Sequence, residues 1–238
     1  MRLGFGQLGL AMALGLLAGC SGKATDLSVK LGCGEIDGLG VLTSEKAPAF
    51  ILVGEVIETN ELPAAFAELA CRLAARQPKD KPLWVGLSDY VGGSTDAERA
   101  MRKRLEDLVA RGAPMVLGSA SEGHTTGVSR REEAERLWAE DIKARMKSAN
   151  ASRALLLMPR FDGVAVRVTG IEGRFSDYTP MALFLPEGQV MNLEIGQATN
   201  IGSPTIRIYT TMRQGYMGQI ALGKVTLAEK TEPVRPPN

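Results

Sequence analysis

The chain has 238 residues, 45% of them apolar, which suits one α/β domain with a normal core, or one domain and a subdomain. Its 28 Lys+Arg nearly cancel its 27 Asp+Glu, and no basic block stands out. That excludes the sequence footprint of a nucleic-acid-binding protein, and aromatics at 5% are too few for a platform that stacks bases or sugars.

The chain opens with Met1-Arg2 and an apolar run from Leu3 to Leu17, closed by Leu17-Ala18-Gly19-Cys20. One basic residue, a short apolar stretch and small residues before a Cys read as a secretory signal with a lipoprotein cleavage box. The run is too short and too Gly-rich to span a bilayer comfortably. Cleavage after residue 19 leaves Cys20 as the first residue of the mature chain, open to acylation by palmitate-type chains. Ser21 stands where Asp would resemble a signal for inner-membrane retention. The expected location is therefore the outer membrane of a Gram-negative envelope, facing the periplasm. Residues 20–47 read as a tether and N-terminal segment. Beyond Cys20 only Cys33 and Cys71 remain, and two thiols in an oxidising compartment make one expected disulfide, with two buried free thiols as the alternative.

Ala49–Glu55 is a short apolar run ending in Gly54-Glu55, a buried strand leading into a loop. Asn60 is a candidate helix cap with Pro63 in the first turn, and Leu62, Phe66, Leu69 and Leu73 recur at helical spacing to about Gln77. Pro82–Leu87 reads as a second strand. Thr95 and Glu98 form a capping-box pattern for a helix whose inner face carries Ala97, Met101, Leu105 and Leu108. Gly112 ends that helix in the left-handed region. Pro114–Gly118 is a third strand. A Ser/Gly/Thr loop follows, and Ser129 with Glu132 opens a helix carrying Ala134, Leu137, Trp138, Ile142 and Met146. Ala154–Met158 is a fourth strand. Further strands are expected at Val164–Val168, Val190–Ile195, Thr205–Thr210 and Met217–Leu227, with a helical turn or two at Met181–Leu185. Residues 229–238 hold Pro233, Pro236 and Pro237 and read as a flexible tail.

Strand alternating with helix four times predicts right-handed βαβ units. The expected fold is α/β: a three-layer sandwich with a mainly parallel, mixed central sheet flanked by helices and a strand-rich C-terminal part. Sites in such sheets gather at the C-terminal ends of the strands. The loop after the first strand holds Glu55, Glu58 and Glu61, but three carboxylates without a His nearby define no ligand geometry. The chain has a single His, His124, in a Ser/Gly/Thr loop. Ser119 or Ser121 near it does not make a Gly-x-Ser-x-Gly elbow. Arg130 and Arg131 begin a helix and read as solvent-facing.

Phe50–Glu55 followed by Thr59-Asn60-Glu61-Leu62-Pro63 resembles the opening motif of the ChaN-like, TIKI and erythromycin-esterase-like group. Thr179–Pro186 is similar to a Pro-Met-Ala…Leu-Pro segment in bacterial members. The resemblance covers roughly residues 48 to 196 and implies an α/β domain over 48–228. It also shows departures. The group's first His falls at Ile57 and the next Gly at Glu58. A strand-end Glu falls at Ser88, with Asp89 one place later. A second His falls near Phe161. Ile and Phe have neither lone pair nor titrating group, so they cannot replace imidazole. Glu55 alone keeps its place. A haem role, which the resemblance suggests, has His124, Tyr90 and Tyr178 as axial types but no Cys-x-x-Cys-His signal.

The expected protein is thus a lipid-anchored envelope protein with a non-catalytic, degenerate site: Glu55, Ile57, Glu58, Ser88 and Phe161. Metal and cofactor are expected to be absent. The alternatives are a residual hydrolase using Glu55, Asp89 or His124, and a haem or small-ligand binder. The expected partners are the membrane, through the lipid, and an envelope protein or small ligand.

Overall fold

The computed structural model of the chain describes residues 26–44, 46–55, 59–87, 95–120, 131–159, 162–167 and 178–226. Three apolar runs become the central strands β1 (Phe50–Glu55), β2 (Leu83–Leu87) and β4 (Arg153–Pro159). Each is buried on both faces, which is why each reads as a continuous apolar run and not as an alternation. With β3 (Met115–Ser119), β5 (Val190–Gln197), β6 (Thr205–Arg213) and β7 (Tyr216–Leu222) they form one seven-stranded sheet, in the order β3-β2-β4-β1-β5-β7-β6. All neighbours run parallel except the last pair, where β6 turns back antiparallel on β7.

Two helical layers cover the sheet. Helices α3 (Glu61–Ala74) and α4 (Asp96–Ala110) share a core with Ile51, Val53, Val85, Leu155 and Leu157. Helix α5 (Arg131–Ser148) and a 3-10 turn (Met181–Phe184) share a second core with Phe50, Leu52, Trp84, Leu156 and Met158. Alternate residues of one strand thus point to opposite layers. The fold is the expected α/β three-layer sandwich with a mixed, strand-rich C-terminal part. No described helix is long and apolar enough to cross a membrane.

Several local expectations hold. Thr95 and Glu98 form a reciprocal capping box at α4, and Gly112 sits at φ 82° just past its end. The cap of α3 differs. Asn60 makes no side-chain cap bond; the Leu62 N–H donates to Thr59 Oγ1 at 3.4 Å instead. The Asn60 amide donates to Thr226. The strand expected at Val164–Val168 does not form over its described residues. The buried Asn192 amide bonds the Gly163 and Gly215 carbonyls, and Ala165 N–H donates to Gly215. These bonds satisfy that backbone without a ladder. Strand β7 stops at Leu222, short of Leu227, because Thr226 is drawn to the start of α3, where Glu61 accepts its N–H at 2.8 Å. The segment read as a tether is folded from Asp26 onward. It forms α1 (Leu27–Leu31) and α2 (Gly40–Thr43), and Leu31 and Leu42 enter the first core. Residues before Asp26 and after Thr226 lie outside the described part, and so do Ser129 and the tail.

Cys33 and Cys71 are disulfide-bonded across 38 residues, with their Cα atoms 5.6 Å apart. The bond joins the N-terminal segment to α3, which also holds it through Arg72, whose Nε donates to the Gly34 carbonyl at 2.6 Å. Gly54 has a packing reason of its own. A Cβ there would fall 2.5 Å from the hydroxyl of Tyr216, a fully buried side chain.

Removing the disulfide by Cys33→Ser with Cys71→Ser should lower stability by about 3–4 kcal/mol in urea unfolding, the chain-entropy value for a loop of this length. An unchanged unfolding midpoint would show that the bond constrains nothing. Gly54→Ala should cost about 1–3 kcal/mol through overpacking, and less in a Tyr216→Phe background. Equal losses in both backgrounds would contradict the contact with the hydroxyl.

Candidate functional site

The first four strands present their C-terminal ends side by side. Glu55 pairs in register with Pro159, Leu87 with Leu157, and Leu87 with Ser119. The connection leaving β4 passes to the α5 face, whereas those leaving its neighbours β1 and β2 pass to the α3/α4 face. Where adjacent connections part to opposite faces, ligand sites of open α/β sheets gather at the strand ends. In chain order Ile57 and Glu58 follow β1, Ser88 and Asp89 follow β2, His124 follows β3, and Phe161 follows β4. Those residues, Tyr90 and the side chain of Glu55 lie outside the described part. What is described is that the strand ends leading into them adjoin.

Beside this edge lies a buried polar network absent from the sequence expectations. Arg131, in the first turn of α5, donates from Nη2 to Asp162 Oδ1 at 2.9 Å and from Nε to Glu135 Oε1 at 3.3 Å. Its guanidinium carbon lies 4.0 Å from the centroid of the Tyr178 ring. The Tyr178 hydroxyl donates to Asp162 at 3.4 Å, and the Met181 N–H donates to Glu135 Oε2 at 2.9 Å. Glu135, Asp162 and Tyr178 are all buried. Arg131 keeps 41% of its side chain exposed, so it does face solvent as expected, but it also ties Glu135, Asp162 and Tyr178 together.

Electrostatics follow from burial. Loss of water, then the nearby Asp162 carboxylate, pushes Glu135 up to about 8, although Arg131 pulls the other way. Burial raises Asp162 as well, against the pull of Arg131 and Tyr178. At neutral pH Glu135 therefore stays protonated. Burial raises the Tyr178 phenol too. With Glu135 neutral, Asp162 and Arg131 balance, and every buried polar group in the network has a partner.

The signal that marks Glu135 was in the sequence. It stands three residues before Trp138 and seven before Ile142, on the buried stripe of α5. The stripe is Glu135, Trp138, Ala139, Ile142 and Met146, rotated from the expected face, so Ala134 and Leu137 are only half-buried. An acid on an apolar stripe announces a buried partner. No local pattern pointed to Asp162, since its partners are 16 to 31 residues away.

An open cleft of about 640 Å³ lies along the first half of α3, facing Ile201–Pro204 and the end of β7. Ala64, Ala65 and Leu222 give it apolar surface, and Asn60, Glu61 and Glu68 supply polar groups. Hydrogen bonds from Thr226 keep Glu61 low in spite of its partial burial, so it is a carboxylate at neutral pH. Among the described residues, no group of three His, Cys, Asp or Glu is arranged to hold a metal ion.

No family model matches this chain, and no curated protein matches it. Among solved structures it is similar to the type III effector HopBA1, at 8% identity, over 73% of this chain and 87% of that chain, with a TM-score of 0.40. A likeness of that size carries no argument about fold or activity.

The network generates a pH dependence. A free Glu releases its proton near 4.5, whereas folded Glu135 holds it up to about 8. The folded state therefore binds the proton more tightly, and the stabilisation it brings is full below about 4.5 and lost as pH rises to about 8. Glu135→Gln is neutral at every pH and keeps an acceptor for the Met181 N–H, at the cost of the Arg131 bond. It should flatten that decline and leave the variant more stable than the natural chain at alkaline pH. Glu135→Ala should cost about 1–3 kcal/mol, because Arg131 and the Met181 N–H lose a partner. Urea unfolding at acid, neutral and alkaline pH measures both. An undiminished slope in Glu135→Gln would place the pH dependence elsewhere.

Proposed function

We propose that this chain is a lipid-anchored protein of the bacterial envelope, facing the periplasm, whose α/β domain binds a ligand and does not turn one over. One observation carries the reading. Beside the strand ends Arg131, Glu135, Asp162 and Tyr178 are closed on one another, while the open cleft is lined by Asn60, Glu61, Glu68, Lys224 and apolar surface. A closed network holds loops in place but offers no acid or base to a substrate. A cleft of this volume suits a small organic molecule. The resemblance to the ChaN-like, TIKI and erythromycin-esterase-like group agrees, with Ile57, Ser88 and Phe161 standing where that group carries polar ligands.

A second reading has its own support. Because the ends of β1 to β4 adjoin, Glu55 and the segments carrying Asp89 and His124 start from one edge. An altered hydrolase site, or a haem site on His124 or Tyr90, would be built there. Tyr178 is not available to a haem, since its buried hydroxyl is engaged by Asp162.

Two experiments test the proposal. Cys20→Ser should leave the precursor uncleaved or release the protein from membranes, and normal processing with membrane recovery would refute the anchor. Calorimetric titration with Zn²⁺, Mn²⁺ or Ca²⁺ should show no binding tighter than micromolar, about −8 kcal/mol. A tight one-to-one site lost in Glu55→Ala would favour the hydrolase.

A further inference from the structure

We propose that the end of the sheet where the parallel strands begin is a basic surface that lies against anionic lipid headgroups. Its placement rests on the reading of Cys20 as the lipid anchor.

Helices α3, α4 and α5 run back against the strands and finish at this end, where the negative pole of a helix favours cations. Among the described residues here, Lys46, Arg76, Lys79, Lys81, Arg111 and Lys147 are exposed. They outnumber the exposed carboxylates of Asp26, Asp80, Asp107 and Glu187. The segments that carry them are bound into one surface. The Asn150 amide, just past α5, donates to the Asp80 carbonyl at 2.6 Å, and Ser152 Oγ donates to Gln77 at 3.3 Å. Arg76 donates to Thr43 Oγ1 at 2.6 Å, and Arg111 to the Lys30 carbonyl at 2.5 Å. Both helical layers thus contribute charge to the same pole, although the whole chain is nearly neutral.

The chain joins the fold at this pole. Asp26 caps α1 and lies in the field of Arg72 and Arg76. Only residues 21–25 separate it from Cys20, so the headgroups are at most about 20 Å away even with that segment fully extended. At physiological salt a charge is screened over about 8 Å, a distance such a tether lets the pole reach. Each Lys or Arg that reaches an anionic leaflet strengthens partition about fivefold. Docked this way, the opposite end, with Glu55 and Pro159, faces the aqueous compartment.

The test needs no acyl chain. Residues 21–238 contain every described element, so that protein carries the whole described fold. In flotation it should bind vesicles of phosphatidylethanolamine with phosphatidylglycerol, not phosphatidylcholine vesicles, and less as salt rises. Lys79, Lys81 and Lys147 make no side-chain bond that the fold depends on, and reversing all three to Glu should weaken binding about 100-fold or more. Arg99→Glu, Arg136→Glu and Arg207→Glu together change net charge equally but lie toward the other end, and should leave binding within severalfold. Equal losses from the two triples, or binding indifferent to lipid charge, would overturn the proposal. The Cys20→Ser result is independent, so failure of the surface and failure of the anchor are separately visible.

Discussion

Strand β4 lies between β1 and β2, and the architecture turns on that insertion. Its residues Ala154–Met158 are all fully buried, so both faces of the strand must be roofed by other elements. Leu155 and Leu157 enter the core beneath α3 and α4, and Leu156 and Met158 the one beneath α5. A strand placed last among the first four yet central in the sheet needs a return crossover. Right-handedness sends that return to the face that α3 and α4 leave free. The two-sided sandwich and the parting of the connections at the ends of β1, β2 and β4 have this one cause.

The two faces are held differently. The α3/α4 side has a broad apolar core, a disulfide and arginines that bond the carbonyls of the N-terminal segment. Among the described residues the α5 side has one long helix and one 3-10 turn. There the polar network joins what apolar contact alone leaves loose: Arg131 and Glu135 on α5, Asp162 after β4, and Tyr178 and Met181 ahead of β5. A buried ionic cluster adds little net stability compared with apolar packing, but it fixes geometry, because a displaced loop strands a charge. The segment Thr179–Pro186, noticed in the sequence for a family resemblance, takes part in this closure, with Thr179 also donating to Glu132.

The sheet was legible because doubly buried strands write themselves as unbroken apolar runs, and the capping box of α4 was legible because Thr95 and Glu98 are three residues apart. Legibility ended where partners were distant in sequence. Thr59 displaces Asn60 as the cap of α3 because Asn60 is bound to Thr226, 166 residues away. The strand expected at Val164 fails because the Asn192 amide satisfies the backbone beside it. Glu135 was readable as an acid on an apolar stripe, but Asp162 was not, since it sits in an ordinary-looking Phe-Asp-Gly turn. The disulfide followed from counting thiols, which needs no geometry. The strands that precede the positions drawn from family resemblance adjoin, but those positions themselves lie outside the described residues.

The covalent link between Cys33 and Cys71 also has a mechanical meaning. Tension on the chain ahead of Asp26 would first peel α1, whose hold is a few hydrogen bonds and Leu31. In a reduced chain the peel would run on through α2 to β1, in the middle of the sheet, where zipper-like rupture would divide the domain. With the bond closed, the load path leaves the backbone at Cys33 and passes into α3, a helix fully seated in the core. Force is then shared by a whole helical layer in shear, and β1 is spared.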